Sequence, residues 1–149
     1  MPIRTEGLDE HEDELEDNSE RAKNITPFAL KAIIVITTNF WPRRWRRQVD
    51  LAGRPWPRLL PETVRRKKSA RILFDRGLMF ASVQINQSSI TKANPDGLVI
   101  GTNWKQAATH NFGDPDRGIP RRTWIGWDRK DLAFLAEGFL DYIMTGDTP

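Results

Sequence analysis

The sequence predicts a small α+β domain in which one helix near the N-terminus and one at the C-terminus accompany an antiparallel sheet of about four short strands. Apolar residues recur at helical spacing after Thr26-Pro27 and again after Asp128. Between them, residues 79–86 alternate in polarity as a half-buried strand does. The 149 residues suit one domain with a single hydrophobic core.

Composition limits the classes of protein to which the chain can belong. It contains no cysteine, which excludes disulfides, thiolate catalysis and cysteine-based zinc sites. The longest apolar stretch, Ala32 to Ile36, is much too short to cross a bilayer, and acidic residues rather than an apolar run follow the first residues. We therefore expect a soluble intracellular protein that does not contact a membrane.

Charge is segregated along the chain although the net charge is only +3. The stretch from Glu6 to Glu20 is dense in acids and has no Lys or Arg, whereas the stretch from Arg43 to Arg71 is strongly basic. This pattern favours a partner of one sign, or two copies of the chain that meet in opposite sense.

Residues 1–18 are predicted to form a mobile acidic arm, because they hold too few apolar side chains to offset the entropy of ordering. Residues 19–149 are predicted to form the folded domain. Charge blocks of this kind are more often merely solvated tails than contact segments. If a basic surface captures the arm, its contact residues are Glu10, Glu12, Asp13, Glu14, Glu16 and Asp17.

The first helix is predicted to begin at Thr26, a capping residue placed ahead of a proline. A β-branched run at 33–38 favours a strand instead, but the length of the pattern and the cap favour a helix. The residues at helical spacing are Phe28, Ala32, Val35, Ile36 and Phe40.

Residues 41–68 are predicted to form a long basic loop, because Pro42, Gly53, Pro55 and Pro61 interrupt any regular element. A loop of this length in a compact domain usually has a function or orders on a partner. The candidate interface residues in this loop and beyond it are Arg43, Arg44, Trp45, Arg46, Arg47, Trp56, Arg65, Arg66, Lys67, Lys68, Trp124 and Trp127.

The predicted strands follow this loop. Met79 to Asn86 alternates, and the turn residues Asn94-Pro95-Asp96-Gly97 precede a second strand that starts with Leu98-Val99-Ile100, which together predict a hairpin around a mobile connection. Two shorter strands are expected at Gln106 to Phe112 and at Arg122 to Gly126.

The C-terminal helix is predicted from its ends. Asp128 can cap it, Asp131 occupies the reciprocal capping-box position, Trp127 can pack on Leu132, and Gly146 ends the helix. The predicted buried stripe is Leu132, Leu135, Ala136, Phe139, Leu140 and Ile143.

Three interpretations of the basic loop remain open from the residues alone. Trp41, Trp45 and Trp56 lie among arginines, a pattern that can stack nucleic-acid bases and contact phosphates. Trp and Arg are also enriched at protein interfaces. In the third interpretation, Trp56 and Leu59 simply cover the core. We rank the protein interface first, the core cover second and nucleic acid third.

No convincing catalytic site is present in the sequence. His110, with Asp114 and Asp116 nearby, could form an acid–base pair or part of a metal site, but an isolated histidine is more often a structural hydrogen-bonding residue. Phosphate-binding loops, nucleophile elbows and paired-histidine helices are missing. We therefore expect no enzymatic activity, no cofactor and no metal.

Four blocks of sequence, taken together, resemble the phage virion morphogenesis family, the tail-completion proteins of Mu-type temperate phages. They occur in the same order and spacing as in that family, within residues 25–145. The blocks are Gly53 to Leu59, Ile72 to Leu78, Val99 to Gly113 and Ile119 to Gly126.

The resemblance implies a structural virion protein of the tail or neck, assembled in the cytoplasm of the bacterial host. It implies a ring-like homo-oligomer that contacts neighbouring tail, connector or neck proteins in tail completion and head–tail joining, and it leaves contact with phage DNA as an alternative. Among the motif residues, it implies unusual backbone angles at Gly77, Gly101 and Gly113 and burial at Trp56, Phe112 and Ile125.

Overall fold

The computed structural model describes residues 8–84 and 89–149, which combine helices with one two-stranded sheet. The helices are α1 (Leu8–Lys23), α2 (Thr26–Val35), α3 (Trp41–Arg47), α4 (Pro61–Lys67), α5 (Leu78–Ala81), α6 (Lys105–Phe112) and α7 (Arg129–Thr145), with a π-helical turn at Ile36–Phe40 between α2 and α3. The strands are β1 (Ser89–Asn94) and β2 (Gly97–Thr102).

The predicted first helix is confirmed, and it is longer than expected because α2, the π turn and α3 follow one another without a break. The capping position is Ile25, one residue earlier than predicted. Its β-branched run at 33–38 does not form a strand. The first half ends α2 and the second half begins the π turn, where the Thr37 and Thr38 hydroxyls donate to carbonyls one turn back at 2.9 and 2.7 Å. Four residues of the predicted stripe, Phe28, Ala32, Ile36 and Phe40, are buried.

The predicted loop at 41–68 is wrong at both ends. Trp41–Arg47 continues the helix, and Pro42 is tolerated there because the π turn just before it already interrupts the regular hydrogen-bond ladder. Pro61 opens α4, where its missing N–H would have no partner in any case. The segment between, 48–60, is irregular.

The sheet has two strands in the part of the chain that the structure describes, so the prediction of about four is wrong. The turn and the second strand are confirmed, with Asn94 paired to Gly97 at the tip of an antiparallel hairpin. The hairpin packs on α2, and the amide of Ile25 donates to the carbonyl of Pro95 at 3.2 Å. Leu98 and Ile100 are partly buried against the core.

The two segments predicted as strands on either side of the hairpin are helical where they are described. Residues 78–84 form α5 and a turn, with Met79 and Val83 buried four residues apart, and residues 85 and 86 lie outside the described part. Gln106 to Phe112 lies within α6, whose buried residues are Ala107 and Asn111. A spacing of four explains both errors, since it places side chains on one face of a helix.

The predicted strand at Arg122 to Gly126 is also wrong, although the chain there is not helical. The side chain of Asn111 accepts hydrogen bonds from the amides of Trp124 and Ile125, both at 3.0 Å. One buried amide group therefore satisfies backbone donors that a neighbouring strand would otherwise bind.

The ends of α7 are confirmed in detail. Asp128 accepts from the amides of Lys130 and Asp131, each at 2.8 Å, and its own amide donates to the Asp131 carboxylate at 3.2 Å, which completes the capping box. Gly146 ends the helix with a φ of 84°.

The predicted buried stripe of α7 is only partly correct. Leu135, Phe139 and Ile143 pack against the core, whereas Leu132 and Leu140 are 52% and 62% exposed and Ala136 is exposed as well. The contacts of α7 with α1 and α2 leave the flank that bears these residues open. The stripe predicted for the core therefore includes an exposed apolar flank.

A cluster of four tryptophans forms the centre of the core. Trp45 packs edge-on against Trp124 and Trp56, with ring centroids 4.8 and 6.1 Å apart, and Trp41 contacts Trp124 at 6.1 Å. Edge-to-face pairs of this kind contribute about 0.5–1.5 kcal/mol each beyond the burial of their area.

The structure confirms some of the backbone angles and buried positions that the family resemblance implied and contradicts others. Gly77 and Gly113 have the expected positive φ, at 78° and 81°, and Trp56 is buried while Ile125 is partly buried. Gly101 lies in β2 with an ordinary φ, and Phe112 is 70% exposed at the end of α6, so both of those expectations are wrong.

Candidate functional site

The acidic arm is helical from Leu8 and lies against the C-terminal helix. Arg21 near the end of α1 donates to the carbonyl of Ile143 at 2.8 Å and to the side chain of Asn18 at 2.9 Å. Residues 1–7 lie outside the described part, and the mobility of the arm stays a prediction.

The carboxylates of α1 from Glu10 to Glu20 are exposed to solvent. The ion pairs described for this helix stay within it. Asp17 pairs with Arg21 at 3.6 Å and Glu20 with Lys23 at 2.6 Å, and Glu14 lies 3.6 Å from the ring of His11, a pair that is ionic only when the histidine is protonated. Repulsion between neighbouring carboxylates disfavours such a surface unless a cation approaches it. All six predicted contact residues, the acidic face of α1, are exposed: Glu10, Glu12, Asp13, Glu14, Glu16 and Asp17.

Four of the twelve residues predicted for an interface are instead inside the chain. Arg44 is 2% exposed, Trp45 and Trp124 are each 1% exposed, and Trp56 is 3% exposed. The indole of Trp56 donates to the carbonyl of Thr123 at 3.1 Å. These side chains therefore hold the core together and present no surface to a partner.

Arg44 belongs to a buried charge network that ties α3 to α7. It forms an ion pair with Asp131, whose side chain is fully buried, and donates to the carbonyl of Gly126 at 3.1 Å. Arg43 reaches the same carboxylate at 2.8 Å from a more exposed position. Burial lowers the pKa of Arg44, and Asp128 opposes that shift. An arginine remains charged at neutral pH even so.

The exposed basic residues of α3 and α4, counting the residue that caps the end of α4, are Arg46, Arg47, Arg65, Arg66 and Lys68. Most of them lie in the last turn of their helix, where positive charge complements the helix dipole. That effect accounts for their position but does not neutralise them. None of these five side chains forms an ion pair within residues 8–84 and 89–149, so all five are available to an acidic partner.

A groove of about 650 Å³ runs between α3 and the start of α7. Arg47, Arg129 and Lys130 line it beside the partly buried Trp127, and the carboxylates of Asp50 and Asp128 also reach it. Trp127 is thus the one predicted interface tryptophan that keeps some exposed surface.

A second cavity, of about 600 Å³, lies between α4 and α6 and is lined by Arg66, Lys67, His110 and Arg122. Burial lowers the pKa of Lys67, opposed by Asp75, while the nearby Arg122 lowers it further. Burial also lowers the pKa of His110, and the positive charges of Arg122 and Lys67 add to this shift. We call this cavity, with Arg66, Lys67, His110 and Arg122 in its wall, the cationic pocket.

The acid–base pair considered for His110 does not form. The carboxylate of Asp114 is bonded to Arg117 at 2.6 Å, which is the main cause of its lowered pKa. The Nδ1 atom of His110 is buried and has no hydrogen-bond partner among the described residues. No group of three His, Cys, Asp or Glu side chains suited to a metal ion occurs in that part of the chain.

Two structurally important residues were not singled out from the sequence. Arg122, 5% exposed, donates to the carbonyls of Pro57 and Arg58 at 2.9 and 3.2 Å and so holds the irregular segment after α3. Asn111 orders the backbone before α7, as described above. Their positions within family-like blocks were the one available signal, because their partners are remote in sequence.

No single helix of the described chain is long and apolar enough to cross a membrane. One pair of helical segments, 10–23 and 26–47, meets the criteria of length and composition together, although a bend of 58° separates them.

Comparison with known proteins places the chain in a family. Residues 39–143 match the model of the phage virion morphogenesis family, a span that begins at the end of the π turn and stops within α7. It covers more than two thirds of the chain and leaves out the acidic helix. No curated protein and no solved structure matches. The resemblance carried by the four sequence blocks is thereby confirmed, and the chain belongs to the phage virion morphogenesis family.

Proposed function

We propose that this phage morphogenesis protein acts in tail completion and head–tail joining, as a ring-like homo-oligomer at the head-proximal end of the tail. Family membership supports a structural role in the virion. The position in the neck, the ring and contacts with tail, connector or neck proteins are parts of the proposal.

The separation of two unneutralised surfaces carries the proposal. The acidic face of α1 and the exposed basic residues of α3 and α4 belong to different elements, and no described ion pair joins them within one chain. The acidic face of one copy can therefore meet the basic residues of the next. Such a head-to-tail contact uses two different patches, and it closes into a ring when the rotation between copies permits.

Charge alone does not supply the affinity of such a contact. Exposed ion pairs contribute about 0–1 kcal/mol each, so they mainly set the orientation and the rate of association. The open flank of α7 offers apolar area at Leu132, Leu140 and Met144, which are 52%, 62% and 66% exposed. Covering this flank would add a hydrophobic contribution of about 25 cal/mol per Å² removed from water.

The nucleic-acid alternative loses its base-stacking side chains. Trp41, Trp45 and Trp56 are at most 3% exposed, so none can stack on a base. Contact with phage DNA would rest on the exposed arginines and would weaken steeply with salt.

Deletion of the gene from its phage, followed by electron microscopy of the lysate, tests the proposed role. We expect DNA-filled heads and separate tails, with joined particles restored by the wild-type protein supplied in trans. Arg46→Glu/Arg47→Glu should restore them poorly, and Lys92→Glu, a single charge reversal at an exposed position on the hairpin, should restore them fully. Normal infectious particles after deletion, with no such protein in purified virions, would refute the proposal.

A further inference from the structure

The cationic pocket carries more positive charge than the chain neutralises. Arg66, Lys67 and Arg122 line it together with Arg76, and Asp75 is the one carboxylate among the lining residues. Three of the four cations therefore remain without a counter-charge at the pocket wall.

Arg122 makes this imbalance costly. Its side chain is almost entirely buried, and its described hydrogen bonds go to the neutral carbonyls of Pro57 and Arg58. Lys67 likewise donates to a backbone carbonyl, that of Arg71, at 2.9 Å. A buried cation that is paired only with neutral groups gains further stabilisation when an anion reaches it.

We propose that the cationic pocket is a binding site for a carboxylate side chain of α1 from a second copy of this chain. The site deepens the proposed function, on which it rests, because it gives the head-to-tail contact a specific anchoring point. Arg66 and Lys67 meet the carboxylate at the mouth, and the charge of Arg122 supports it from the wall.

The shape of the cavity favours a protein side chain over DNA. About 600 Å³ is enough for an acidic side chain with part of its backbone, and apolar residues such as Leu73, Met79 and Trp104 line the walls. These walls can cover the methylene groups of a glutamate. Duplex DNA presents its phosphates on a convex surface, so the exposed arginines outside the pocket would meet them first.

The chain itself supplies the matching ligand. Within one copy, α1 is fixed to α7 by the bond from Arg21 to the carbonyl of Ile143, while the pocket lies between α4 and α6. The exposed carboxylates of α1 form no described ion pair with another element. They are therefore free to enter the pocket of a neighbour.

Nuclear magnetic resonance of the imidazole groups provides a local test in the full-length chain carrying Glu12→Lys/Glu16→Lys, because these changes keep the acidic helix of a neighbour out of the pocket. The chain has two histidines, so a His11→Gln variant assigns the His110 signals. Unlabelled peptide of residues 6–20 should shift the His110 signals saturably. A control peptide with every Glu and Asp changed to Gln and Asn should leave them in place.

A pair of matched variants separates the pocket from general charge attraction. Arg66→Gln/Lys67→Gln should weaken peptide binding at least about tenfold, the effect of losing a charge-assisted contact. Arg65→Gln/Lys68→Gln removes the same charge from the same region outside the pocket and should weaken it less than about threefold. These variants leave the buried Arg122 intact, so the fold is retained.

Several results would overturn the site. One is that the acidic peptide leaves the His110 signals in place, and another is that both variant pairs weaken its binding equally. The site would also fail if inorganic phosphate bound as tightly as the peptide, or if a short DNA duplex shifted the His110 signals when the peptide did not. Light scattering on the wild-type chain separates the two proposals. Peptide binding together with a wild-type chain that stays monomeric would refute the ring alone. Assembly of the wild-type chain together with no peptide binding by the Glu12→Lys/Glu16→Lys chain, whose pocket is empty, would refute the pocket alone.

Discussion

Removal of the Asp131 carboxylate should destabilise the fold more than any other single change at the start of α7. Asp131→Ala leaves Arg44, 2% exposed, without its buried counter-ion and also breaks the capping box. Breaking a buried pair from one side typically costs about 3–5 kcal/mol, because the remaining charge is left unpaired in the interior. The more exposed Arg43 adds little to this figure.

For a domain of this length, each kcal/mol corresponds to about 2–4 °C in Tm, so we expect Tm to fall by roughly 6–20 °C. Urea unfolding followed by circular dichroism measures the free energy directly. Asp128→Ala is the control: it removes the N-cap and the longer ion pairs to Arg43 and Arg44, at 3.5 and 3.3 Å, but keeps the fully buried Asp131, so it should lose only about 1–2 kcal/mol.

A double replacement distinguishes a charge effect from a packing effect. Arg44→Met/Asp131→Leu removes both charges and fills the space with apolar groups, so it should recover at least half of the stability lost by Asp131→Ala. If Asp131→Ala lost no more than Asp128→Ala, the buried pair would not be the element that ties α3 to α7.

Three further predictions concern other parts of the fold. Gly113→Ala should lose about 1–3 kcal/mol in urea unfolding, because the φ of Gly113 is 81° and the added carbon would lie 2.9 Å from a backbone nitrogen. Gly53→Ala, at a φ of 77° but in open space, should lose less. Equal losses would show that the close contact at Gly113 has no effect. Because the pKa of His110 is lowered in the folded chain, the unfolded chain binds the proton first as the pH falls. The contribution of neutral His110 to stability is therefore full above pH 6.5 and declines as the pH falls through 6.5 toward the folded pKa. His110→Gln should flatten that decline in the free energy of unfolding, and an unchanged pH profile would exclude His110 as its cause. Leu140→Ala on the open flank of α7 should change the free energy of unfolding by no more than about 0.5 kcal/mol. Phe28→Ala in the core should lose about 3–5 kcal/mol. Similar losses for the two variants would show that the flank is not open.

The ends of α7 could be predicted from the sequence because their signals are local. Asp128, Asp131 and Gly146 act on groups within a few residues of themselves, so their spacing carries the whole interaction. The hairpin turn was predictable for the same reason. The first helix was recognisable because its apolar residues recur at helical spacing, and four residues of that stripe are indeed buried.

The remaining elements depend on contacts that are remote in sequence. Residues 79–86 alternate in polarity, but Met79 and Val83 also fit a helical turn, and tertiary packing selects that alternative. At Trp124 the backbone amide has no strand partner and donates to the side chain of Asn111 instead. Neither outcome is encoded in local periodicity.

The candidate surfaces were predictable as a charge pattern but not residue by residue. The exposed acids of α1 and the arginines of α3 and α4 lie where the charge segregation places them. Arg44 was grouped with them because its local sequence is basic, and its partner Asp131 is far along the chain. The tryptophans fit an interface equally well by composition, and only packing showed that Trp45 and Trp56 belong to the core.

The molar mass of complementary charge-reversal variants tests the central claim most directly. In one variant, Glu12→Lys/Glu16→Lys reverses part of the acidic face; in the other, Arg46→Glu/Arg47→Glu reverses part of the basic surface. Light scattering should give each variant alone the monomer mass of 17.2 kDa and should give their equimolar mixture the higher mass of the wild-type assembly. Wild-type assembly by either variant alone, or a mixture that remains monomeric, would contradict head-to-tail assembly through these two surfaces.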